Sequence, residues 1–474
     1  MTNRSLLHFP AFSVAQEPPL AFHPDRAEDR EVHPLRGLIR FGPYSSSLVN
    51  SVLDPIRVAV IAPAGWSRRA DQFFGELGVA HSPSERRQYL PEFPGFQRLF
   101  GLRVVSDGST GRVELPRETD GLVMQAAAPH LVLAEQLGRA VSQLAAIRSS
   151  FDVLAILLPK RWEAAFEGRD EEDFDLHDYL KALTANRGIP TQILREDKAL
   201  SYRCRCSVMW RIAIALYTKA GGVPWKIANS EREVAFVGIS YALRDKSEGP
   251  RFVTCCSQVF DADGSGLQFL LYNVDPAWES GDNPFLSRAE MRRLMARSLR
   301  LYQQRHSGRS PKRVVIHKAT RFTPGEVDGC FDAWDSADGL DLVQVQGDSP
   351  WRGIKIESHQ QAAKYPVDRG TYVGLDGRRA LLWTQGTATK AVSEQDYYKE
   401  GKGIPEPLVL QRWAGHGAWE STCSSILGLT KMNWNNDGLY DRLPVTLSYA
   451  STLAQCAKRM PRISANPYEL RYFM

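Results

Sequence analysis

This chain has little of what would place it quickly in a class. Its seven cysteines include no C-x-x-C pair, only a C-x-C at Cys204 and Cys206 and neighbours at Cys255 and Cys256. That spacing argues against a zinc site, and the odd count suits reduced thiols in a cytosol. The longest aliphatic run, VLAILLP at Val153–Pro159, is far short of the about 20 apolar residues that cross a bilayer. The opening MTNRSLLHFPAF lacks the apolar core of a secretory signal, so a cytoplasmic location with no membrane contact is expected. Charge is close to balanced. A net +5 and a pI near 8.7 permit a nucleic-acid groove without demanding one. Internal repeats and low-complexity tracts are lacking as well.

What is present is an ordinary globular composition, 43% hydrophobic and 24% charged over 474 residues, enough for two or three domains. Residues 1–34 are rich in Pro, Asp, Glu and Arg without apolar periodicity. They read as an extended arm, either loose or ordered against a partner. From Arg57, strand-like runs (RVAVIAP, VLAILLP, TQIL) alternate with helical ones (HLVLAEQLGRAVSQLAAIRS, SVMWRIAIALYTK), which predicts a mainly parallel sheet covered on both faces. The acidic block EAAFEGRDEEDFD reads as a solvated loop. After Trp225 the pattern changes to three consecutive strands (EVAFVGISYAL, PRFVTCCSQVF, GLQFLLYN), a long helix (SRAEMRRLMARSLRLYQQRH) and a further strand, KRVVIHK.

Four polar residues carry the chemistry. His177 and Lys181, four apart in DLHDYLKALTANRG, share one helix face. Gln192 lies on the strand TQILR, and Lys219 ends the helix before Gly221 and Gly222. Each alone reads blandly, a lysine at a helix end being an ordinary solvated charge. Together, two ammoniums, an imidazole and a carboxamide suit a terminal phosphate with a base beside it.

This set, with GIPTQIL and YTKAGGVPWKI around it, resembles the MID domain of short prokaryotic Argonautes, where such residues hold the guide 5′-phosphate. HPLRGLIRFGPYS, YLPEFPGFQRLFG and LTKMNWNN extend the resemblance along the chain. It implies an α/β architecture: a Rossmann-like MID domain over 35–228, then a ribonuclease H-like PIWI domain over 229–474. It also implies that the Met474 carboxylate enters the pocket and shares a magnesium ion with the guide phosphates.

In PIWI nucleases, carboxylates hold two metal ions about the scissile phosphodiester. Here the V-G-I-D type run reads Phe236-Val237-Gly238-Ile239-Ser240, the V-I-H-R-D-G type run has Ala319, and the last helix has Ser451. The expectation is a domain that does not cut. Asp245 and Glu326 are the acids that an unorthodox nuclease would use, and His317 the alternative base, though a histidine ending a buried strand reads as a structural hydrogen-bonder. Arginines 288, 292, 293, 297, 300 and 305 of the long helix are candidates for lining the nucleic-acid channel.

The resemblance implies a guide-binding subunit, RNA-guided toward single-stranded DNA, in an antiviral and plasmid-defence complex. Its partner would bear an Argonaute-associated (APAZ) domain fused to a sirtuin-like or TIR module that depletes NAD. A guide-directed magnesium-dependent nuclease and a stand-alone single-strand-binding module are the alternatives.

Overall fold

The computed structural model describes residues 11–48, 52–169, 172–228, 233–243, 253–261, 263, 266–274, 278–280, 283–335, 338–356, 366–392, 395–398, 403–460 and 468–474. In the first half the strands are β1 (Phe12–Val14), β2 (Leu20–Ala21), β3 (Arg30–Glu31), β4 (Ile56–Ala62), β5 (Val104–Val105), β6 (Arg112–Glu114), β7 (Val153–Leu158), β8 (Thr191–Arg195) and β9 (Lys226–Ile227). The helices are α1 (Pro34–Phe41), α2 (Ser67–Glu76), α3 (Phe96–Phe100), α4 (Glu118–Gln125), α5 (Pro129–Ala145), α6 (Leu176–Ala185) and α7 (Arg205–Lys219).

β4, β7 and β8 form a parallel sheet, with β5 and β6 both beside β4. The alternation of its apolar runs explains the layering. Ala59, Ile61, Leu154 and Ile156 pack against α5 and α6, whereas Val58, Val60, Ala155 and Leu157 meet α2 and α7. Both faces are covered, as the alternation of strands and helices predicts.

The second half contributes β10 (Val234–Leu243), β11 (Val253–Asp261), β12 (Gly266–Val274), the hairpin β13 (Trp278–Ser280) and β14 (Asn283–Phe285), then α8 (Arg288–Arg305), β15 (Arg313–Lys318), α9 (Pro324–Ala333) and β16 (Gly339–Gln346). β17 (Thr371–Gly374), β18 (Arg379–Leu382), the hairpin β19 (Ala388–Val392) and β20 (Gln395–Tyr397), β21 (Leu408–Ala414), α10 (Trp419–Leu429) and α11 (Val445–Lys458) complete it. A nine-stranded sheet runs β1-β17-β18-β21-β16-β15-β10-β11-β12. The expected meander β10-β11-β12 is antiparallel, and β15 joins β10 in parallel.

Alternation again sorts the two faces. Ala235, Val237, Ile239, Val314 and Ile316 pack with α8 and α9, while Phe236, Val315 and Val343 join the core that holds α11 and much of the first half. α8 therefore lies on the sheet face away from α11. There Arg288 pairs with Asp332 at 2.6 Å and Arg293 with Glu290 at 2.7 Å.

Two further expectations are corrected. The arm orders against this chain itself: β1 pairs with β17, and β2 lies between β3 and β9. Glu17 is the anchor, half-buried and paired with the buried Arg369 at 2.7 Å and Lys431 at 3.0 Å. Burial alone would raise the Glu17 pKa, but the two cations hold it below its ordinary value. The acidic block is not merely solvated either. Asp175 caps α6 by accepting from Asp178 N, and Asp173 pairs with Lys458 and Arg459 at the end of α11.

Candidate nucleic-acid interface

α6, β8 and α7 bring three of the four singled-out residues together. α6 starts where Asp175 caps it, which puts Lys181 on its inner face. α7 ends at Lys219 because Gly221 takes φ +103, a conformation that side-chained residues seldom adopt. Lys219 Nζ donates to Gln192 Oε1 at 2.8 Å and reaches Asn435 Oδ1 at 3.4 Å. Lys181 Nζ donates to Thr191 O at 2.6 Å and to the backbone oxygen of Met474. Met474 itself is buried, so the last residues fold back under the first half.

The two lysines are almost wholly buried, 2% and 1% exposed. Burial pushes Lys181 down from 10.5 to about 8. Lys219 is held well below its ordinary value by burial and by the charge of Lys181. The nearby Cys456 opposes the shift of Lys181, and the side-chain partners given for Lys219 are neutral amide oxygens. The pair stores unfavourable positive charge that an anion would relieve.

Beside them opens a cavity of about 250 Å³, lined by apolar Leu158, Phe166, Ile193 and Ile212 and by polar His177, Gln192, Arg195, Lys198, Arg211 and Asn435. Gln192 and Asn435 form the wall in front of Lys219. The lysines therefore underlie the cavity instead of lining it, a difference from the direct contact that their spacing suggests. His177 stays at the rim, its side chain 51% exposed and its Nδ1 3.2 Å from Asp178 Oδ1. Among the described residues it makes no contact with either lysine in these hydrogen bonds.

Sequence reasoning missed Asn435, Arg211, Arg195 and Cys456 as members of this region. Asn435 had a signal, since it lies in LTKMNWNN, but nothing local says that this loop crosses to α7. Arg211 also lines a second cavity of about 340 Å³ with Arg86, Tyr397, Tyr398, Asn436 and Arg442.

The second candidate region lies on the nine-stranded sheet. Ile239 pairs with Lys318 in parallel register, so Ser240 on β10 and Ala319, just past the end of β15, come next. α11 reaches them by docking on Gly238, where a Cβ would fall 1.8 Å from Thr446 O. His317 Nδ1 lies 2.9 Å from Thr446 Oγ1, and burial lowers its pKa to about 4. It is a structural hydrogen-bonder, as its place at a strand end suggests. Ser451 lies five residues along α11 from Thr446, about 7.5 Å of helix.

Glu326 does more than face the helix dipole. Fully buried, it accepts from Lys318 Nζ at 2.6 Å and closes a capping box with Thr323. Its charge is taken up by the counter-ion Lys318. Asp245 lies outside the described residues.

The fold over nearly the entire chain is that of prokaryotic Argonaute proteins. The Argonaute of Clostridium butyricum, bound to a guide DNA with 5′ deoxycytidine and a 19-mer target DNA, matches 98% of this chain with TM-score 0.66 at 17% identity. Aa-Ago with externally bound siRNA matches 99% with TM-score 0.61 at 16% identity. In sequence, the protein argonaute of Aquifex aeolicus (strain VF5) is 21% identical over 291 residues, 61% of this chain. No family model matches. The chain spans 36% of that curated relative and 55% and 56% of the two solved chains.

Proposed function

We propose that this chain is the guide-binding, target-sensing subunit of a prokaryotic defence complex, built as a MID domain and a ribonuclease H-like PIWI domain. The observation that carries the proposal is the buried pair Lys181 and Lys219, behind Gln192 at the foot of a half-apolar cavity. A 5′-phosphate supplies the charge that the lysines lack, and the apolar wall receives the first base. His177 at the rim meets the same phosphate once the site is filled.

Magnesium fits this place only as a shared ion. Met474, Gln192 and Asn435 offer hard oxygens, but these carry at most one negative charge beside two ammoniums. The guide phosphates must furnish the rest of the ligand charge, and the ion would then lock the 5′ end against the Met474 carboxylate.

On this reading the PIWI domain recognises a paired target without cutting it, since Ser240, Ala319 and Ser451 offer no carboxylate to metal ions. Pairing of an RNA guide with single-stranded DNA then biases the complex toward a second conformation, which switches on an encoded APAZ partner carrying a sirtuin-like or TIR module. The partner rests on resemblance alone.

The test compares 5′-phosphorylated and 5′-hydroxyl oligonucleotides by direct titration against the native chain and Lys181→Ala/Lys219→Ala. The native chain should prefer the phosphate, and the variant should be indifferent to it. Equal affinity of the native chain for both ends sinks the proposal. Target cleavage with magnesium or manganese, abolished by Glu326→Gln, would favour the nuclease reading instead.

A further inference from the structure

The outer edge of the nine-stranded sheet carries an apolar surface whose residues do not line the cavity beside Lys219. β1 is the last strand on that side, and among the described residues nothing pairs with its outer edge. Ala15 N donates to Gly370 O at 3.0 Å. By the two-residue alternation of an antiparallel ladder, Ser13 also faces β17, and the backbone groups of Phe12 and Val14 point outward.

Side chains add to this edge. Phe12 is 69% exposed and Val14 47%. Val14 stands opposite Thr371, and Trp383 N donates to Thr371 O, so Val14, Thr371 and Trp383 share one face. The segment 351–356 lies over Trp383, close enough that a Cβ on Gly353 would meet the ring at 3.1 Å. From that segment Trp351, Ile354 and Ile356 are each between 57% and 59% exposed. Five large apolar side chains are thus exposed on the open strand and on the segment over Trp383, and an open edge with exposed apolar groups marks an interaction site.

The occupant follows from chemistry and size. Lys355 and Asp368 beside the patch pair with each other at 3.0 Å, so a phosphate backbone finds little free charge there. Outward N–H and C=O groups call for another strand, and its neighbours call for apolar side chains. A twofold contact between two copies of β1 would align three residues and roughly a few hundred Å² of apolar surface, short of the roughly 800 Å² per partner of a stable interface. A partner whose footprint continues past the patch meets that requirement.

We propose that the edge of β1 is where a separate polypeptide docks by adding an extended, apolar strand, with Trp351, Ile354 and Ile356 flanking it. This rests on the effector partner proposed above and assigns the place at which it holds this chain.

The probe is the purified product of the gene encoded beside this one, titrated against the full chain, Phe12→Lys and Val14→Pro. Proline at 14 removes one outward N–H and leaves the β17 ladder intact. Leu122→Lys, at an exposed site on α4 (51%), controls for added charge. Both edge variants should lose at least about tenfold in partner affinity, while Leu122→Lys and the affinity of all variants for a 5′-phosphorylated guide stay unchanged. Native affinity in both edge variants overturns the docking site and leaves the partner intact. A native chain that ignores the partner protein overturns both, and guide titration then judges the guide-binding part separately. Self-association of the native chain that Phe12→Lys abolishes, seen by sedimentation, would assign the edge to a second copy and also overturn the proposal.

Discussion

Proton uptake is the sharpest consequence of the proposed phosphate site above two buried lysines. In the guide-free protein Lys181 is lowered from 10.5 to about 8, by burial first, and Lys219 well below its ordinary value by burial and by Lys181. At about 1.4 kcal/mol for each tenfold in proton affinity, the Lys181 shift alone amounts to about 3 kcal/mol of unfavourable charge burial. A bound dianion reverses the sign, because it stabilises both ammoniums and brings their pKa values back up. Above pH 7 the 5′-phosphate is already doubly charged, so the guide end takes up no proton of its own. The free pair holds fewer protons than the complexed pair, and binding must draw the difference from solvent. Near pH 8 the uptake should be on the order of one proton, and above it the affinity for a 5′-phosphorylated guide should fall by about tenfold per pH unit for each proton taken up. Folding stability of the free chain moves the other way, rising between about pH 8 and 10.5 as the unfolded chain releases the extra protons. Calorimetric titration at fixed magnesium, in buffers of different ionisation enthalpy, reads the uptake directly. No uptake, or an equal uptake with a 5′-hydroxyl guide, would refute the assignment of these lysines to a phosphate.

Three other outcomes follow from single contacts. Adding four residues after Met474, whose backbone oxygen Lys181 holds in a buried place, should weaken binding of a 5′-phosphorylated guide at least about tenfold; an unchanged titration would dismiss a role for that end. Glu17→Gln leaves Arg369 and Lys431 buried with their acid removed, so urea unfolding should show a loss of about 3–5 kcal/mol. A loss under about 1 kcal/mol would mean that the arm is held by its strands alone. Gly238→Ala drives a methyl into Thr446 O and should cost about 1–3 kcal/mol or more as α11 backs off the sheet. Gly75→Ala, with open space around it on α2, is the comparison and should lose no stability, alanine being the better helix former.

Much of the layered architecture could be read in advance because it rests on local periodicity. Continuous apolar runs such as Val153–Leu158 became strands buried on both faces, and the meander from β10 to β12 followed turn-rich breaks. The arm escaped because its order comes from one tertiary event: Glu17 entering a buried pair of cations that lie some 350 and 410 residues away in Arg369 and Lys431. Glu326 escaped in part for the same reason. A helix N-terminus explains an acid at that position, so the local rule hid the buried Lys318 that takes its charge.

The proposed phosphate site shows how far residue spacing reaches. Spacing put Lys181 on an inner helix face and Lys219 at a helix end, and the fold joined both to Gln192 and Met474. It could not give depth. Lys219 sits behind Gln192 and Asn435 instead of at the cavity surface, because α7 is buried along most of its length and the loop carrying Asn435 closes over its end. On the proposed function, depth turns the site from a patch of attraction into a switch. An exposed lysine pair would bind any phosphate weakly and at all relevant pH values. A buried pair must break the Lys219–Gln192 bond, gain a proton and exclude water before it binds at all, and only a ligand that brings two charges to one terminal group can offset that cost.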